Sequence, residues 1–292
     1  MDSVFAIAIE QDQYKSYILT DQEHQSRLEI VPERGGIATK WRIQGQDILY
    51  LDEERFADPR ASVRGGIPIL FPICGNLPGD TYTRNGKSYQ LKQHGFARDL
   101  PWEVRSRLTD DCAGIILALD SNARTRALYP FDFQLEFTYR LKGMTLAIEQ
   151  RYTNRSKDIM PFSTGLHPYF WCADKTQLEF EIPATHVEGK GVPEGKSFNG
   201  TFDFDVDEID VALRPVTGST AIVRDRRRKL QIDISYSKIY STLVFWTLKG
   251  KNYVCLEPWS APRNALNTGE NLTYLEPGQT CEARVELRVS YL

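Results

Sequence analysis

The sequence predicts an all-β fold, a large antiparallel β-sandwich, on three observations. Residues 131–142, Phe131-Asp-Phe-Gln-Leu-Glu-Phe-Thr-Tyr-Arg-Leu-Lys142, alternate apolar and polar side chains along their whole length. That period of two marks a strand with one buried and one wetted face. The same alternation returns in several other segments, and no long stretch carries a convincing helical period. Sheets with one apolar face must cover it with another sheet, so such strands pack as a sandwich with few short helices.

Taken in order, residues 27–31 and 37–43 read as strands joined through Gly35-Gly36, with Gly45 after the second. Glycine pairs of this kind supply the positive backbone angles of tight turns. Residues 63–76, Val63-Arg-Gly-Gly-Ile-Pro-Ile-Leu-Phe-Pro-Ile-Cys-Gly-Asn76, are apolar yet crowded with glycine and proline. Neither a helix nor a central strand tolerates so many breakers, so an ordered, largely buried loop is expected. Residues 114–120 form a strand, and Lys142-Gly143 turns the alternating strand into residues 145–152 as an antiparallel hairpin. Residues 230–236, 242–248 and 284–289 repeat the pattern. Residues 184–204, with Gly189-Lys-Gly191 and Pro193-Glu-Gly195-Lys196, read as a surface loop, because the glycine spacing is wrong for a phosphate loop and no helix follows. The basic run at 224–229 reads as a solvated hairpin, being one short cluster without interleaved aromatics.

No composition break divides the chain, so residues 1–292 are expected to form a single domain. Charged residues make up 26% with a net charge of only -3, which recruits neither nucleic acid nor an anionic membrane. Asp2 stands where a signal peptide carries positive charge, and no apolar run approaches the length of a membrane span. Five cysteines without a CxxC pair fit free thiols in a reducing cytoplasm. A cytoplasmic protein, monomer or weak dimer, acting on a small soluble molecule is the expectation. The four histidines are scattered and no cysteine and histidine spacing suggests a metal site, so neither metal nor cofactor is expected.

Three places carry chemistry. His167 lies among aromatics in Ser163-Thr-Gly-Leu-His-Pro-Tyr-Phe-Trp171. Glu257 follows an apolar strand in Tyr253-Val-Cys-Leu-Glu-Pro-Trp-Ser260, where burial raises a carboxyl pKa toward the range of a base working near neutrality. Moving a proton on and off a neutral substrate needs an acid and a base on opposite sides, and these two are the candidates. His94 and Arg98 bracket a glycine and an aromatic in Gln93-His-Gly-Phe-Ala-Arg-Asp99, and Arg64 begins the glycine-rich loop. A lone histidine near an aromatic is commonly structural, and a buried glutamate commonly pairs with an arginine. Against that, arginine offers a fork of donors to hydroxyls, carboxylate or phosphate.

Together, Arg64-Gly-Gly-Ile-Pro-Ile-Leu-Phe-Pro with His94-Gly-Phe-Ala-Arg98, then Gly165-Leu-His-Pro-Tyr-Phe170, then Cys255-Leu-Glu-Pro-Trp259 resemble the galactose mutarotase-like superfamily, in particular bacterial aldose 1-epimerases and hexose-6-phosphate 1-epimerases. The resemblance spans nearly the whole chain. It implies the galactose mutarotase-like supersandwich and a cofactor-independent interconversion of hexose anomers by ring opening and closure. It implies further that His167 is the acid at the ring oxygen, that Glu257 takes the proton from the anomeric hydroxyl, and that Arg64, His94 and Asp210 hold the sugar. An imidazolium and a carboxylate kept apart by the substrate would perform this chemistry. Arg64 and Arg98 would clamp a phosphoryl group in the phosphate branch, whereas Gly165-Leu-His-Pro looks more like the free-sugar branch. Tyr169 is as well suited to packing against a pyranose as to the core, and Phe162, Trp171 and Trp259 are expected to be mainly structural. A carbohydrate-binding protein of the same fold without activity is the remaining alternative.

Overall fold

The computed structural model describes residues 4–191 and 196–292. Among them, two large antiparallel sheets dominate. One runs in the order Leu178–Glu181, Thr220–Asp225, Leu230–Tyr236, Thr280–Tyr291, Thr145–Asn154, Phe133–Lys142, Ala113–Asp120 and Glu103–Leu108. The other carries Lys196–Ser197, Ala184–Lys190, Glu208–Val216, Thr242–Leu248, Tyr253–Trp259, Gly165–Leu166 and Ile69–Leu70, with Tyr169–Trp171 pairing onto Tyr253–Trp259. A smaller sheet, Phe5–Gln11 to Gln46–Asp47, stands at the amino-terminal end. The α-helices among the described residues are Glu53–Ala57, Ala123–Leu128 and Ala265–Thr268, each short.

The alternation that predicted the central hairpin is what builds it. Phe133–Lys142 and Thr145–Asn154 pair from Phe133↔Asn154 to Lys142↔Thr145, with Gly143 at φ 60 in the turn. Phe133, Leu135, Phe137, Tyr139 and Tyr152 all bury one face against the rest of the core. The segments expected to be strands are strands: 27–31, 37–43, 114–120, 230–236, 242–248 and 284–289 each fall inside one. The 224–229 run is the turn of a hairpin between Thr220–Asp225 and Leu230–Tyr236, as expected. Its Arg228, however, is not merely solvated: it packs over the Trp171 ring at 4.8 Å and donates to the Trp171 carbonyl at 2.9 Å.

Two expectations need correction. Residues 184–190 form an edge-proximal strand, paired with Glu208–Val216 from Ala184↔Val216 to Lys190↔Asp210. Val187 is its one buried side chain, so it carries no apolar period to betray it. Pro193, Glu194 and Gly195, part of the same loop reading, lie outside the described residues, as do Met1 to Ser3. The breaker-rich segment 63–76 is buried as expected, yet it also supplies the short strand Ile69–Leu70, paired with Gly165–Leu166.

That pairing positions the candidate site. The His167 N–H donates to the Pro68 carbonyl at 3.0 Å, and the Cys74 N–H donates to Ser163 Oγ at 3.0 Å. Thr164 Oγ1 donates to the Leu70 carbonyl, and Ser260 Oγ accepts from the Thr164 N–H at 2.8 Å. The three motif segments are thus laced to one another through backbone groups. The 94–98 loop joins them at Gly95 (φ 70), where an added Cβ would lie 2.2 Å from the Phe71 carbonyl oxygen. Only glycine permits that approach.

Candidate active site

Glu257 sits on Tyr253–Trp259, a strand buried at every position in the interior of its sheet. Cys255, Glu257 and Trp259 alternate onto one face of it. Opposite them in register, Glu257 meets Val244 and Cys255 meets Trp246, whose own neighbour across the next strand is Asp210. Above this face opens a cleft with a cavity volume of about 300 Å³. Its wall includes every residue nominated from the sequence: Arg64, His94, Arg98, His167, Tyr169, Asp210 and Glu257.

His167 and Glu257 are in direct contact. His167 Nε2 lies 3.3 Å from Glu257 Oε1, and both side chains are buried. Glu257 Oε2 accepts from the Trp259 indole N–H at 3.0 Å. Burial raises the Glu257 carboxyl well above its ordinary range, opposed by the bond from Trp259. Burial, and then the positive charge of Arg98, push His167 down to about 3. The imidazole is therefore neutral at neutral pH, not the imidazolium expected. Nor do the candidate acid and base stand apart: they are neighbours.

His94 lies beside this pair, its ring edge-on to His167 at 5.6 Å. Its Nδ1 accepts from the Gly75 N–H at 3.1 Å, so the neutral ring carries its proton on Nε2. Burial, with Arg98 and His167 nearby, holds it well below the usual histidine range. His94 is thus both satisfied by the scaffold and part of the cleft wall. Tyr169 stacks flat on His167, with centroids 4.6 Å apart and planes at 8°, which fixes the imidazole plane.

Charges of both signs ring the cleft. Asp210 accepts from Arg263 at 2.7 Å. Arg98 donates to the Gln93 carbonyl, and its buried Nε has no partner among the described residues. Arg64 lies 5.7 Å from the Trp246 ring and makes no side-chain hydrogen bond or ion pair among the described residues. Sequence reading missed Arg55, Glu208, Trp246 and Arg263, all in the wall. Glu208 had a signal, because Glu208 and Asp210 are two apart on one strand and share a face. Arg263 had only its place shortly after the Glu257 motif. Among the aromatics, Phe162 is core and Trp171 lies under Arg228, whereas Trp259, expected to be mainly structural, bonds the candidate base.

The scattered histidines and cysteines gave no metal pattern, yet the fold brings His167, Cys255 and Glu257 together with ligand atoms within 4.8 Å of one another. These are donor types that zinc accepts. Glu257 already has both oxygens engaged by His167 and Trp259, and burial keeps the Cys255 thiol well above the usual thiol range. All five cysteines are free, as expected. No helix among the described residues is long and apolar enough to cross a membrane.

Comparison with known proteins places this geometry. The family model described as aldose 1-epimerase matches residues 17–288. The crystal structure of the Slr1438 protein from Synechocystis sp. PCC 6803 is 48% identical, covers 98% of this chain and 99% of its own, and superposes with a TM-score of 0.94. A galactose mutarotase-like protein from Clostridium acetobutylicum shares the fold at a TM-score of 0.82, with 19% identity over 99% of both chains. A protein of Cenchrus ciliaris, provisionally named as a glucose-6-phosphate 1-epimerase, is 24% identical over 279 residues, covering 87% of this chain and 78% of its own.

Proposed function

The chain belongs to the aldose 1-epimerase family, and from that premise we propose that it interconverts the α and β anomers of a hexose, with residues 1–292 acting as one unit. The observation that carries this reading is the 3.3 Å contact between His167 Nε2 and Glu257 Oε1 at the floor of the cleft. In it, Glu257 takes the proton from the anomeric hydroxyl as the bond from C1 to the ring oxygen breaks. The ring oxygen takes a proton from His167 Nε2. The proton gained by Glu257 passes back to Nε2 across the contact, so the pair ends as it began. Rotation about the C1 to C2 bond and closure on the other face complete the exchange. His167 acts as a neutral donor, a role that imidazole fills where its surroundings forbid the charged form. Paired transfers of this kind contribute about 10²- to 10⁴-fold each. His94, with its proton on Nε2, and Asp210 hold sugar hydroxyls, and Tyr169 keeps the imidazole in plane. No metal or cofactor enters the cycle.

One observation favours a second reading, in which the hexose carries a 6-phosphate. Among the described residues Arg64 lies in the wall without an ion-pair partner, Arg55 lines the same cleft, and Arg98 has an unused buried donor. Forked donors of this kind suit a phosphoryl group. Polarimetry on freshly dissolved α-glucose and α-glucose 6-phosphate separates the two. Faster mutarotation of the free sugar supports the first reading and preference for the phosphate supports the second. Rates equal to buffer on both sugars, and on other aldohexoses, reject epimerase action and leave a carbohydrate-binding role.

A further inference from the structure

We propose that Trp259, braced by Arg263, is the positioning residue of the site: its indole N–H holds Glu257 Oε2 so that Oε1 alone is presented to His167 and the substrate. The proposal rests on the epimerase reading and deepens it.

The terminal torsion of a glutamate is broad and roughly two-fold, so a carboxylate held at one oxygen swings through many orientations. A base that must meet one hydroxyl needs a second anchor. Trp259 supplies it from two residues along the same strand, with Nε1 3.0 Å from Oε2 and its side chain fully buried. Among the described residues, the indole and His167 are the partners that Glu257 has. No water-exposed edge substitutes for the indole, because Glu257 is 1% exposed.

The indole is itself held on several sides. His94 meets it edge-on at 5.5 Å, with planes at 82°. The Arg263 guanidinium lies 5.3 Å from the ring centroid, and Asp210 fixes that guanidinium at 2.7 Å. Two glycines leave the space it fills: a Cβ at Gly165 would lie 2.9 Å from Cδ1, and one at Gly75 would lie 3.1 Å from Cζ3. A cation over an aromatic face draws electron density from the ring, which makes the indole N–H a stronger donor. Arg263 therefore strengthens the bond it never touches. The indole gives up no proton at any step. It lowers the energy of the carboxylate form and fixes its direction.

Trp259→Phe keeps the ring and removes the donor. The expected result is a kcat lower by about tenfold to a hundredfold, corresponding to the loss of one charge-assisted bond, with KM nearly unchanged. The acidic limb of kcat/KM should move up by about one pH unit, because the carboxylate loses a stabilising donor. Arg263→Met, at a side chain 38% exposed and hence tolerant of change, should move the limb in the same direction by less. In the wild-type protein, the Trp259 indole ¹H–¹⁵N resonance, identified by its loss in Trp259→Phe, should titrate with the midpoint of that limb. In Glu257→Gln it should not titrate.

A folded Trp259→Phe with wild-type kcat and limb overturns the proposal, and so does an indole resonance that stays still while Glu257 titrates. If Trp259→Phe fails to fold, the resonance is identified instead as the one perturbed by Arg263→Met, and its titration decides. If the wild type has no epimerase activity, the resonance still decides: titration abolished in Glu257→Gln sustains the clamp while the activity reading falls.

Discussion

At the scale of single residues, burial does to Glu257 and His167 what it does to any charge, and both are pushed toward neutrality. For Glu257 the folded pKa lies above the unfolded one, so the folded protein binds a proton that the unfolded chain has lost. Stability therefore falls as pH rises from about 4.5 through the raised value, and the carboxylate form that the proposed reaction needs is held at a cost. Glu257→Gln removes that cost along with the proposed base. The expected outcome is activity reduced by about 10²- to 10⁴-fold. Melting at pH 8 should at the same time be more stable than wild type by on the order of 1 kcal/mol, a gain that fades below pH 4.5. Calorimetry across that range checks the sign. His167 works in the opposite direction: its depressed folded pKa removes stability as pH falls from about 6.5 toward 3. What was legible at this scale was identity. His167, Glu257, His94 and the arginines stood in motifs, whereas protonation state depends on burial and on the Arg98 charge, which no local string of letters records.

At the scale of elements, charge runs illustrate what sequence patterning conveys and what it omits. The 224–229 run was legible as a hairpin, yet its arginines do different work. Arg224 and Arg226 pair across strands with Glu181 and Glu179, while Arg228 inserts against Trp171 and donates to the carbonyls of Trp171 and Asp47. Arg228→Ala should cost about 1–2 kcal/mol in urea unfolding, because two backbone acceptors lose their donor. Arg227, 62% exposed and 4.0 Å from Asp174, should cost no more than about 0.5 kcal/mol when replaced by alanine. Equal losses would contradict the packed role of Arg228. The strand at 184–190 shows the converse: its backbone pairs along its length except at Thr185, although its side chains, nearly all in water, carry no period.

At the scale of the whole molecule, the antiparallel sandwich was legible because long strands with one buried face repeat along the chain, and the central hairpin turns at Lys142-Gly143 as expected. His167 and Glu257 were expected to share a site, but their direct contact and the place of Cys255 beside them were not legible, since these depend on which strands become neighbours rather than on their composition. That convergence makes metal dependence a question for measurement. Dialysis against EDTA is expected to leave epimerase activity unchanged, because in the proposed reaction Glu257 and His167 carry both proton transfers between them. Loss of activity that zinc restores would assign the three donors to a metal instead.

The lacing of the motif segments also bears on how the protein acquires its activity. Ser163 bonds Cys74 across 89 residues of chain, and Thr164 bonds Leu70 and Ser260 across 94 and 96. Contacts of such range form late, after loop closure has been overcome. The hairpin of Phe133–Lys142 and Thr145–Asn154 closes locally and needs none of them. In refolding from denaturant, strand signal in circular dichroism should therefore return ahead of any epimerase activity, and the chain should pass through a stage in which the sheets exist before His167 and Glu257 have met.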